Sequence, residues 1–228
     1  MTFLPNTLLA VSSIAAVAQA LPNVTPVLAE GGCSVYPGYD ADTGIAGPWV
    51  VMVDQCVNST TPGVPCTIEG FGSSAEPRIL AGDTGIHEGY ITIVHRNDLA
   101  KNPLRCNSAQ PAGSTLQANV PSGVSGYSWT PLQVADIPYS APLMWGLEEE
   151  YSHAVEPYYH VDADGVRQEG LFLGAHNVTS WGIEYVSSGF FGLPYWFIRL
   201  LGPDSEDPVT GEPLGDNESV TFIRVDGS

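Results

Sequence analysis

Lysine is nearly absent from this chain. Lys101 is the single one in 228 residues, and Lys plus Arg total 7 against 25 Asp plus Glu, a formal net charge of −18. Phosphate binding needs clustered cations, so this balance argues against nucleic acid and against anionic membrane surfaces as partners. Charged residues of either sign are scarce too, at 14% against roughly 25% in an ordinary soluble domain. No apolar run is long enough to span a bilayer, which takes about 20 residues. Leu8 to Val17 is too short, and the segment Gly189 to Gly202 is interrupted by Pro194 and Arg199. The end of the chain, Ser219 to Ser228, alternates like a strand and is not the hydrophobic tail of a lipid-anchor signal.

Several catalytic and cofactor signatures are also missing. There is no Cys-x-x-Cys, no Gly-x-Ser-x-Gly, and no His-Glu-x-x-His, since His87-Glu88 is followed by Gly89-Tyr90-Ile91. Gly70-Phe71-Gly72-Ser73-Ser74 lacks the third glycine of a dinucleotide loop. No cofactor and no metal centre are therefore expected.

What is present describes an acidic, turn-rich globular protein. Apolar residues make up 43%, enough for one sizeable core, while 25 glycines and 19 prolines disfavour long helices. Residues 1–20 carry no charged side chain and end in Ala18-Gln19-Ala20, which reads as a secretory signal peptide cleaved before Leu21. Asn-x-Ser/Thr acceptors at Asn23, Asn58, Asn177 and Asn217 agree with that compartment. So do the four cysteines, Cys33, Cys56, Cys66 and Cys106, which an oxidising environment would pair. Of three possible connectivities the preferred one joins Cys56 to Cys66 across the loop Val57 to Pro65, where Asn58 would carry its glycan. Cys33 to Cys106 would then tie the amino-terminal segment to the body.

The organisation expected is a leader over 1–20, an extended lead-in with little structure over 21–32, and one β-rich domain over 33–228. Short strands recur: Trp49 to Val53, Tyr90 to Arg96, the alternating Leu116, Ala118 and Val120, then Trp181 to Tyr185, Tyr195 to Leu201 and Val220 to Val225. The spacing implies about nine or ten strands, as in a sandwich, jelly roll or barrel, and an all-β sandwich or jelly roll is the expected form. Gly44, Gly85, Gly123 and Gly165 recur about every 40 residues, which makes a β-trefoil or similar repeat the alternative. One segment reads as helical. Leu143, Leu147, Tyr151 and Ala154/Val155 recur at helical intervals, Ser140 is a suitable N-cap and Pro157 a stop, so one amphipathic helix is expected near 140–156. Residues 203–219 read as a solvated acidic loop.

That helix would place Trp145, Glu149, His153 and Glu156 on one face, with Tyr158, Tyr159, His160, Asp162 and Asp164 just downstream. Carboxylates flanking an imidazole could act as acid and base, which makes Glu149, His153, Glu156 and Asp162 the catalytic candidates. Trp145, Tyr158 and Tyr159 are the ligand-binding candidates, as stacking surfaces for sugars. The plain alternative is a solvated helix face. Asp-Thr-Gly occurs at Asp42 to Gly44 and Asp83 to Gly85, letters that resemble the active-site signature of aspartic peptidases. The copies stand 41 residues apart and neither follows an apolar strand, and the same tripeptide makes a good turn. Asp40-x-Asp42-x-Gly44 and Asp162-x-Asp164-Gly165 offer oxygen ligands at alternate positions, but neither completes a calcium loop.

The expected function is that of a secreted glycoprotein of the extracellular matrix or cell wall. It would act by binding or structural association, with a neutral polysaccharide or an extracellular protein as partner. A glycoside hydrolase using paired carboxylates is the enzyme alternative, and an aspartic-type peptidase the remote one.

Overall fold

In a computed structural model the chain is all-β. The structure describes residues 21–57, 66–79, 82, 84–95, 102–110, 113–137, 140–190, 192–202, 205–206, 209, 211, 214–215 and 217–227. The leader, Asn58 and Asp83 of the sequence reading lie outside them. The strands are β1 (Thr25–Leu28), β2 (Ile45–Val57), β3 (Gly72–Arg78), β4 (Glu88–Val94), β5 (Leu104–Gln110), β6 (Gly113–Pro121) and β7 (Tyr127–Ala135). They continue with β8 (Leu143–Trp145), β9 (Ser152–Ala154), β10 (Glu156–Val161), β11 (Phe172–Gly174), β12 (Ser180–Val186), β13 (Tyr195–Leu200) and β14 (Glu218–Asp226).

Their antiparallel pairings close on themselves. The path β2-β5-β6-β7-β8-β4-β13-β12-β14 returns to β2, a nine-stranded barrel rather than a sandwich or jelly roll. Closure removes the open edges that a flat sheet would leave. β3 lies along β4 and pairs in register with β2 at Met52 and Gly72, where the Val51 N–H also donates to the Ser73 hydroxyl. β10 and β11 extend the sheet beyond β14 through Phe172 and Arg224, β1 pairs along β10, and β9 pairs with β7. Alternation explains the core: Val51 and Val53, Ile91 and Ile93, Ala118 and Val120, Leu132 and Val134, and Trp181 and Ile183 all point inward and are buried. β2 serves two neighbours because its register shifts between Ala46 and Trp49, at Pro48, so one half pairs with β5 and the other with β14.

Four expectations need correction. No helix of seven or more residues exists among the described residues; segment 140–156 is instead β8, a 3-10 turn over Glu149–Tyr151, β9 and the start of β10. Leu143, Met144 and Trp145 are consecutive and all buried, the signature of a short strand covered on both faces. Gly146 then turns the chain at φ +80, which ends any helical path. Second, the lead-in is ordered as β1 and a 3-10 turn, Gly32–Val35. Third, the strand count is fourteen, because β1, β8, β9 and β11 are only three or four residues long and carry no periodic signal. Fourth, the strand order shows no threefold repeat; Gly44, Gly123 and Gly165 are positive-φ turn residues, and Gly85 is not. In the acidic loop Glu206 and Val209 are exposed as expected, but Ser205 is buried and Glu218 belongs to β14.

The preferred disulfide pairing is present: Cys33–Cys106 and Cys56–Cys66. The first pins the Gly32–Val35 turn to β5, with both cysteines buried. Two disulfides point to an oxidising compartment.

Candidate functional site

β3 and β4 present two different faces. Ser73, Ile91 and Ile93 turn into the barrel. Their neighbours Ser74 and Glu76, opposite Thr92 and Tyr90, turn outward. β6 and β7 do the same: Ala118 and Val120 point in, while Asn119 is paired with Trp129 and Pro121 with Tyr127 on the outer face.

Between these outer faces lies a cleft of about 330 Å³. Thr92, Val94 and Asn102 form its buried floor; Ser74, Glu76, Asn119 and Tyr127 are on the walls, and Leu193, Pro194 and Tyr195 cover one side. Tyr127 is 71% exposed, so its ring is free to carry a ligand. Glu76 is half-buried, and burial pushes its carboxyl above the ordinary value, an effect opposed by the backbone N–H of Phe190 that donates to Oε1. The Tyr195 hydroxyl is also pushed up, first by burial and then by Glu76, Tyr90 and Glu184. Asn102 is 6% exposed and its Nδ2 has no hydrogen-bond partner among the described residues, an unmet donor at the cleft floor.

The outer face of β6 and β7 continues the cleft. Trp129 follows Tyr127 by two residues, placing the rings ~7 Å apart along the strand. The Arg105 guanidinium lies 4.2 Å from the Trp129 ring centroid and donates from Nε to Gln117 Oε1 at 2.9 Å. The cleft itself is an aromatic and amide surface with one carboxylate and no lysine or arginine among its described lining residues, and the Arg105 guanidinium belongs to the Trp129 extension.

The residues proposed from sequence fall elsewhere. Trp145 is 1% exposed, a core side chain rather than a surface partner of Glu149. Glu149 is exposed beside a second cleft of about 500 Å³ with Ser152, Gln133, Thr130 and Leu147. Glu156 is adjacent to Tyr158, whose hydroxyl donates to Oε2 of Glu156 and accepts from the Asn177 backbone N–H at 2.9 Å. Burial, then that carboxylate, pushes the Tyr158 hydroxyl up to about 12. His153 stands 3.7 Å from Asp136 and meets the His176 ring edge-on, with centroids 4.3 Å apart. Asp162 accepts from the backbone N–H groups of Asp164 and Val166 in a turn, and Arg167 stacks 3.2 Å over the Tyr159 ring. Thus His153, Glu156 and Tyr158 share one region, while Glu149 and Asp162 stand apart, and neither cleft holds two of the four carboxylate and imidazole candidates.

The Asp42-Thr43-Gly44 motif is a turn. Asp40 accepts from the Asp42 N–H and the Thr43 hydroxyl, which holds its carboxyl below the ordinary value, and the Gly44 N–H bonds the Asp40 carbonyl. Among the described residues no group of three or more His, Cys, Asp or Glu is placed to hold a metal ion.

Sequence reasoning missed Glu76, Asn102, Asn119, Tyr127 and Tyr195. β3 reads Gly-Ser-Ser-Ala-Glu-Pro-Arg, with no apolar alternation to mark it as a strand. The available signal was Tyr127 and Trp129 at strand spacing after Gly123 and Gly126. A scan of protein-family models finds no match to this chain, and a search of curated proteins finds no relative.

Proposed function

We propose that this protein is a secreted glycoprotein of the extracellular matrix or cell wall that binds carbohydrate in the cleft between the β3–β4 and β6–β7 outer faces. The observation that carries this reading is the juxtaposition of Tyr127 and Tyr195 with Glu76, Asn102 and Asn119 around one opening. Sugars present both apolar ring faces and hydroxyl donors and acceptors. Aromatic platforms with amide and carboxylate partners match both. The two disulfides and the exposed positions of Asn23, Asn177 and Asn217 support an extracellular setting. Hydrolysis would require two carboxyls in one cleft. Each of these two clefts supplies one among the described residues, Glu76 or Glu149, which favours binding over catalysis.

The test is retention of the protein on insoluble β-glucan, chitin and cellulose. Wild type is expected in the pellet with at least one, and Tyr127→Ala, which removes an exposed ring, in the supernatant. Wild type that stays soluble with all three overturns the reading in favour of a protein partner.

A further inference from the structure

Glu76 is the charged member of the cleft, and its setting narrows the ligand. This inference rests on the carbohydrate reading above. Its Oε1 accepts one backbone N–H, and Oε2 has no hydrogen bond among the described residues. Gly189 makes this close approach possible, since a Cβ there would stand 2.4 Å from Oε1. Among the described residues no protein cation answers the carboxylate. The five described arginines are engaged elsewhere: Arg78 with Glu88, Arg105 on Trp129, Arg167 on Tyr159, Arg199 with Glu218 and Arg224 with Asp54.

We propose that the cleft selects glycans bearing free amino groups, an ammonium pairing with Glu76 while the sugar ring lies on Tyr127. Uronate-bearing glycans are excluded by the same carboxylate. The phenol rings of Tyr127 and Tyr195 favour a cation through their faces as well as a sugar through its apolar side. Asn102 Nδ2, unpartnered among the described residues at the floor, supplies the donor that a sugar oxygen would meet. The net charge of −18 raises the local concentration of a cationic polymer and lowers that of an anionic one. The half-buried position of Glu76 makes the pair less screened than one on an open surface. Raising of the Glu76 carboxyl by burial agrees with a site where the charge is incompletely compensated.

The experiment is titration calorimetry with four matched oligosaccharides: glucosamine, N-acetylglucosamine, glucose and galacturonate oligomers. The glucosamine oligomer is expected to bind about tenfold tighter than the neutral ones, near 1.4 kcal/mol, with galacturonate weakest. Because any polycation is drawn to an acidic protein, Glu76→Gln is compared with Glu206→Gln, which removes the same charge from the exposed loop. Glu76→Gln should abolish the preference for the amino sugar over the neutral ones, whereas Glu206→Gln should leave the preference near wild type. Equal loss in both variants, or equal binding of amino and neutral oligomers, overturns the selectivity while leaving the carbohydrate reading intact. Failure of all four to bind overturns that underlying reading instead.

Discussion

Gly89 and Trp145 face one another across the two-residue β4–β8 pairing that helps close the barrel, and the indole occupies the space a side chain at position 89 would need. A Cβ there would lie 2.3 Å from Trp145 Cη2 and 2.4 Å from the Glu76 carbonyl oxygen. The backbone on the far side cannot yield without moving β3, and the ring is fully enclosed.

Gly89→Ala is therefore expected to destabilise the fold by about 2–3 kcal/mol through overpacking, read from the midpoint of urea unfolding. Trp145 Nε1 has no hydrogen-bond partner among the described residues, so Trp145→Phe should cost less than Trp145→Ala, which leaves a large cavity. A Gly89→Ala protein as stable as wild type would show that the pairing is not tightly packed.

The disulfides differ in what they constrain. Cys33–Cys106 closes 73 residues and Cys56–Cys66 closes 10. Loop-closure entropy alone then assigns about 4 kcal/mol to the first and about 3 kcal/mol to the second. Cys33 and Cys106 are also buried, while Cys56 and Cys66 are half-buried. Replacing Cys33 and Cys106 by Ala should thus lower the unfolding free energy more than replacing Cys56 and Cys66, by at least about 1 kcal/mol. The reverse order in denaturant unfolding would contradict this.

These two cases show what the sequence carried. Spacing alone favoured Cys33–Cys106 with Cys56–Cys66, because a short turn-rich loop joins its own ends and leaves the distant pair. Strands with apolar alternation, such as β4, β6 and β14, were equally legible. β8 was not. Leu143, Met144 and Trp145 are all buried, so both faces are covered and no period of two remains, while β4 and β7 pair along the two edges. A three-residue run then fits a helical period by chance, and the barrel closure it helps provide went unseen. The cleft was illegible for a related reason: Glu76, Asn102, Asn119 and Tyr195 come from four separate segments, and only the closed topology brings them together.

Arg199 and Glu218 form a buried two-pronged ion pair between β13 and β14, with Nε to Oε1 at 2.7 Å and Nη2 to Oε2 at 2.8 Å. Nη1 also donates to the Ser205 carbonyl, and the Gly215 N–H donates to Oε2, so the pair anchors the chain leaving and re-entering the acidic loop. The side chains are only 11% and 7% exposed. Removing one partner strands the other charge, so Glu218→Ala should cost about 3–5 kcal/mol. The double replacement Arg199→Met with Glu218→Leu should cost less than either single change to Ala. A double-mutant cycle with no coupling would refute the assignment.

His160 ties stability to pH. It is fully buried, its ring stacks on Phe172 with centroids 3.7 Å apart, and Nε2 meets the Thr179 hydroxyl at 2.8 Å. Burial lowers its pKa from 6.5 to about 4, so the folded state holds it neutral. Because the unfolded chain takes up a proton first, the stability that neutral His160 allows is present above about pH 6.5 and is lost as pH falls toward 4. At about 1.4 kcal/mol per pKa unit, the loss over that window is about 3 kcal/mol. His160→Gln can keep a bond to Thr179 but does not titrate. Urea midpoints measured between pH 7 and pH 4 should therefore fall less steeply for the variant than for wild type, with the gap opening below pH 6.5. Parallel profiles would mean that other groups govern acid unfolding.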